Sequence, residues 1–114
     1  MVRELLELAY ANPAGFTVRI PTLEHVTEGI AVAYWETQRD EGDSPGIGWI
    51  YSVIAHATTH NQVIGGWRDD ETKLWYWDSV KIFPNDQEDE AIAFGRYNKQ
   101  IAIYDITNKR LIKL

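Results

Sequence analysis

The chain has no cysteine. Disulfides, thiolate metal sites and a cysteine nucleophile are thereby excluded, and a reducing cytoplasm is the expected setting. It also lacks a long apolar run. The nearest approach, GIGWIYSVIAHA from Gly46 to Ala57, is too short to cross a bilayer. The amino terminus mixes Arg3, Glu4 and Glu7 among its leucines, unlike the basic-then-apolar plan of a secretory signal. Neither export nor membrane insertion is expected.

Positive charge is scarce as well. Seventeen acidic residues against eleven lysines and arginines give a net charge of −6, which disfavours nonspecific nucleic-acid binding. The imbalance is uneven: residues 91–114 carry Arg96, Lys99, Lys109, Arg110 and Lys113 against Asp105, a balance of +4 that leaves −10 for residues 1–90. A solvated helix end and hairpin tip is the preferred reading of this basic end, with a recognition patch as its rival. Catalytic signatures are missing too: there is no nucleophile elbow of the GxSxG type, and Gly65-Gly66 is not followed by the lysine and hydroxyl of a phosphate loop.

What remains is an ordinary globular composition. With 114 residues, 45% hydrophobic and 25% charged, the chain suits one domain, 1–114, large enough to bury a core. Val2, Leu5, Leu6 and Ala9 recur at helical spacing until Asn12-Pro13 ends the helix. Phe16, Val18 and Ile20 alternate as a brief strand, and Ile30 to Glu36 reads as a second, with Ala31 and Ala33 leaving one face small enough for close packing. After a polar loop, Ser44-Pro45 starts a central helix carried by Ile47, Ile50, Tyr51 and Ile54. Two strands around Asp69-Asp70-Glu71-Thr72 form a hairpin that Pro84 stops. Asn85 or Asp86 caps a third helix with carboxylates in its first turn, Asn98 ends it in a left-handed conformation, and a final hairpin turns across Thr107-Asn108-Lys109. The expectation is an α+β fold: an antiparallel or mixed sheet of about five to six strands with three helices mainly on one face.

The densest aromatic stretch is GGWRDDETKLWYWDS, residues 65–79. Under regular pairing, Leu74, Tyr76, Asp78, Val80 and Ile82 would form the core face of the second strand, leaving Trp75 and Trp77 on the other. A bulge at Asp78-Ser79 would instead align both indoles with Val80 and Ile82. Burial of Trp75 and Trp77 is preferred in either register, since indoles are mostly buried. The rival reading is a stacking platform for a sugar or other flat ligand built from Trp67, Trp75 and Trp77. The two glycines mark a bulge or make room for a large ring.

Polar residues offer two further candidates. His56 and His60, in HATTH, share a helix face as two metal ligands must, but the sequence supplies no third ligand by spacing, and a structural role is preferred; no metal or cofactor is expected. Asp78 and Asp105 both interrupt apolar strands, and two such carboxylates close together would suit a hydrolase. Against that, Asp105 lies at a hairpin mouth where it can accept backbone amides.

The pattern Gly66-Trp67, an acidic turn, Tyr76-x-Asp78 ending in Phe83, Ala91-Ile92, and Asn98-x-Gln100-x-Ala102-Ile103-Tyr104-Asp105 resembles a group of small uncharacterised domains. These are carried by phages, plasmids and conjugative elements and are sometimes embedded in large polyvalent proteins. Gly15-Phe16-Thr17 and Gly29 fit its first half. The resemblance implies a bacterial mobile-element setting and no assigned catalytic residues. Trp75 and Trp77 replace the group's more usual tyrosine or leucine, which speaks against an essential ligand platform there. The functional expectation is a non-enzymatic protein-interaction module with a protein partner, including a second copy of itself, and no nucleic acid or membrane. The alternatives are a small-ligand or carbohydrate binder and a hydrolase-like enzyme on Asp78 and Asp105.

Overall fold

The amphipathic segments fold as their periodicities dictate. The computed structural model describes residues 1–38 and 47–114. Among the described residues, three helices, α1 (Val2–Ala11), α2 (Ile50–Thr59) and α3 (Glu88–Tyr97), accompany six strands: β1 (Phe16–Arg19), β2 (Ile30–Ala33), β3 (Val63–Arg68), β4 (Trp75–Phe83), β5 (Ala102–Asp105) and β6 (Arg110–Lys113). The sheet is antiparallel throughout, in the order β1-β3-β4-β2-β5-β6. The chain is thus α+β, as composition and pattern foretold.

β4 is the longest strand and changes partner midway. Trp75 to Ser79 pair with β3, whereas Val80 to Phe83 pair with β2. Both ladders run in unbroken register, so there is no bulge at Asp78-Ser79. Regular alternation therefore holds, but its sides are reversed from the expected assignment: Trp75, Trp77, Ser79 and Phe83 lie under the helices, while Tyr76, Asp78, Val80 and Ile82 point to the helix-free face.

Two apolar clusters fill the helix side. Leu5 and Ala9 of α1 and Ile50, Val53 and Ala57 of α2 pack on Phe16, Val18, Ile64, Trp75 and Trp77. Ala91 of α3 packs on Ile30, Val32, Phe83 and Ile103. Tyr51, expected on the buried stripe of α2, is 64% exposed; Val53 takes that place. Gly66 carries no side chain because a Cβ there would meet the Phe16 ring at 2.7 Å and the Trp77 ring at 3.1 Å, so the glycine makes room for two rings, one of the two roles anticipated.

Helix ends differ from expectation in detail. Asn12 closes α1 with its side-chain amide donating to the Leu8 carbonyl at 2.9 Å. Asn98 keeps φ −88°, and the left-handed residue is Lys99 at φ 59°. Asn98 instead donates to the Phe94 carbonyl and accepts from the Trp35 amide. Neither Asn85 nor Asp86 caps α3; they open a 3-10 turn, Asn85–Gln87. The Ser44-Pro45 helix start falls outside the described residues. β2 ends at Ala33, and the chain tightens into a 3-10 turn at Trp35–Thr37.

The helix-free face is only partly covered. The connection from β1 to β2 crosses it, and Val26 packs there on Val63 and Val80, with Ala31, Ile82 and Ile106 around them. No described helix is long and apolar enough to cross a membrane.

Candidate functional site

Beyond the Val26 crossing, the bare side of the sheet hollows into a trough of about 810 Å³. Its shape follows from residue size. Ala31 and Ala33 of β2, Ala102 of β5 and Gly65 of β3 place almost nothing on this face, while Trp67 and Tyr104 stand up at the sides. The small alanines thus leave space here instead of admitting a close-packed layer. Trp67, 42% exposed, stacks on Tyr76 with ring centroids 4.7 Å apart and planes 12° from parallel. At the far side, Gln38 and Gln100 exchange amide hydrogen bonds of 3.1 and 2.9 Å.

Asp78 lies on the floor, directly opposite Gly65 in the ladder. Among the described residues, no side chain or backbone amide hydrogen-bonds its carboxylate, and no cation pairs with it. Enclosure by apolar walls disfavours the charged form, and its pKa is pushed up from 3.8 to about 7. A half-buried carboxyl without a partner among the described residues, facing open space, is a candidate functional group on this side of the sheet.

Asp105 is placed quite differently. It is fully enclosed on the helix side of β5 and accepts from the Asn85 amide at 2.9 Å, the Asn108 backbone at 3.1 Å and the Asn108 side chain at 2.8 Å, with Arg110 at 3.4 Å. The Asn108 amides above all, then Asn85 and Arg110, hold its pKa down at about 2, against the opposing effect of burial. Thr107 completes the knot, donating to Asn85 and accepting from the Gly29 amide. Asp105 pairs with Ile30, which pairs with Phe83, five residues along β4 from Asp78. That is about 17 Å of strand, and the two carboxylates face opposite sides of the sheet. The structure does not bring them together.

The three tryptophans are likewise divided. Trp67 borders the trough, whereas Trp75 and Trp77 are 6% and 2% exposed beneath α1 and α2. Phe16 meets Trp77 edge-on and Tyr10 meets Trp75 edge-on. A platform of all three rings does not exist.

A second polar constellation lies on the helix side. His56 reaches down from α2 to the Ser79 hydroxyl, its Nδ1 2.8 Å from Oγ, and its Nε2 is 3.3 Å from a Glu36 carboxylate oxygen. His60, one turn later, stacks on His56 with centroids 3.6 Å apart. Tyr34 meets both rings edge-on and donates to Asn61. Burial, then the neighbouring His60, lower the His56 pKa, with Glu36 acting the other way. Serine, histidine and glutamate in line suggest a charge relay. Ser79, however, has no exposed surface, so its hydroxyl cannot reach a substrate and serves as a tether.

Sequence reading missed Glu36, which it assigned to a strand, and Tyr76, which it placed in the core. Only the turn after Ala33 brings Glu36 to HATTH, and no local spacing encodes that. Comparison with known proteins returned no matching family model, no matching curated protein and no matching solved structure.

Proposed function

We propose that this chain is a non-enzymatic protein-interaction module, an accessory factor of a bacterial mobile element, that receives a basic segment of its partner in the trough on the helix-free sheet face. The observation that carries this reading is the Asp78 carboxylate, unpaired on the trough floor opposite Gly65. An entering lysine or arginine supplies the missing counter-charge and restores the ionised form that enclosure disfavours. Its aliphatic stem lies along the small alanines, and its charged head meets the Trp67–Tyr76 stack, whose faces attract cations. The net charge of −6 supports the same partner by drawing basic segments toward the surface.

The test is a titration with an arginine-rich peptide, read by Trp67 emission and by calorimetry. Saturable binding that weakens at least about tenfold in Asp78→Asn supports the reading; absent binding, or equal binding by the variant, overturns it. Trp67 and the depth of the trough also favour a second reading, a small-ligand site. Free arginine or a diamine binding as tightly as the peptide would select that alternative.

A further inference from the structure

We propose that Glu36, His56 and His60 form a binding site for one divalent transition-metal ion of the zinc type, separate from the trough. One ligand atom from each of the three residues lies within 4.8 Å of the other two. Two imidazoles and a carboxylate are a donor set that zinc accepts, with water completing four-coordination. Donors about 2.0–2.1 Å from the ion in tetrahedral array stand roughly 3.4 Å apart. The His56 Nε2 to Glu36 distance of 3.3 Å already meets this; the two imidazoles are stacked with planes 5° apart, so the His60 ring must swing out of the stack for its Nε2 to converge on the same ion.

A histidine pair four residues apart is common by chance, and two independent features distinguish this one. The third donor arrives from another element, the 3-10 turn Trp35–Thr37, twenty residues before His56. Further, both rings are tethered through Nδ1. His60 Nδ1 lies 2.7 Å from the His56 carbonyl oxygen, which can only accept, so the proton sits on Nδ1 and Nε2 keeps its lone pair. His56 Nε2 faces the acceptor-only Glu36 carboxylate and carries the proton in the metal-free chain; Nδ1 lies against the Ser79 hydroxyl at 2.8 Å, which can accept as readily as donate, so the proton can pass to Nδ1 when an ion takes Nε2. Metal-binding histidines characteristically anchor the second ring nitrogen in this way, fixing ring orientation and tautomer. Tyr34 lies edge-on to both rings.

The experiment is calorimetric titration of the untagged full chain with zinc chloride, with visible absorption after cobalt substitution as a second readout. Wild type is expected to bind one ion per chain, and cobalt to give the intense bands of a low-symmetry nitrogen and oxygen site. Glu36→Gln and His60→Gln alter exposed side chains, so their folds are expected to persist, as melting by circular dichroism checks. Each is expected to lose at least about 100-fold in affinity, whereas His25→Gln, on the crossing connection, retains binding. Absence of saturable binding in wild type, undiminished binding in folded Glu36→Gln and His60→Gln, or loss in His25→Gln overturns the proposal.

Discussion

Asp78 and Gly65 face each other across the β3–β4 ladder, so the carboxylate stands over a position with no side chain to cover or neutralise it. The molecule keeps a charge-bearing group against apolar walls at this point, and stability there depends on pH.

The sign follows from linkage. With a folded pKa near 7 against an ordinary 3.8, the native state holds its proton where the unfolded chain has released it, so this group lowers stability as pH rises from about 4 through 7. The shift sets a ceiling of about 4 kcal/mol, and water in the trough reduces it to about 1–3 kcal/mol. Asp78→Asn is therefore expected to stabilise the protein at pH 8 and to change little at pH 4, measured by urea unfolding at both values. Equal effects at both would mean that the carboxyl does not titrate in this window.

Asp105 behaves in the opposite sense. Its folded pKa of about 2 lies below the ordinary value, so its contribution is present above pH 4 and fades as pH falls toward 2. Melting temperatures of Asp105→Asn should be lower than wild type at pH 7 and converge with it near pH 2. The same curve in both proteins would remove Asp105 from the acid transition.

Trp77 separates packing from polarity. Trp77→Ala leaves a large cavity and should cost about 3–5 kcal/mol. Among the described residues its buried indole Nε1–H has no hydrogen-bond partner, so Trp77→Phe removes an unsatisfied donor along with some volume and should stay within about 1 kcal/mol of wild type. Denaturation midpoints of the two variants decide this; a Phe variant as unstable as the Ala one would show that the N–H is satisfied.

The adjacent glycines should answer differently to alanine. Gly66→Ala collides with Phe16 and Trp77 and should cost about 1–3 kcal/mol. Gly65→Ala meets Val80 at 3.3 Å, so its stability should change by less than about 1 kcal/mol. The methyl projects beside Asp78, however, and should weaken capture of a basic peptide. Unfolding curves and peptide titration of both variants test this division.

The periodic features were legible in the chain: Leu5 and Ala9 announce α1, Pro84 ends β4, and Asp105 declares its hairpin through Asn108. The side of β4 that meets the helices was not, because both faces of WYWDSVKIF are partly apolar and only the placement of α1 and α2 decides between them. The trough escaped notice for a related reason. Ala31, Ala33 and Gly65 have meaning as open space only when brought side by side from separate strands. The polar cluster needed a turn at Trp35 that the run IAVAYWE, reading as continuous strand, conceals.

The change of partner midway along β4 has a mechanical consequence. Everything to one side, with α1 and α2, shares β4 with everything on the other, with α3, and the contacts of Glu36 and Tyr34 with His56 cross the same line, each half lending the other an edge it could not protect alone. Neither half should persist as an autonomous fragment, and heat or denaturant should melt both in one concerted step.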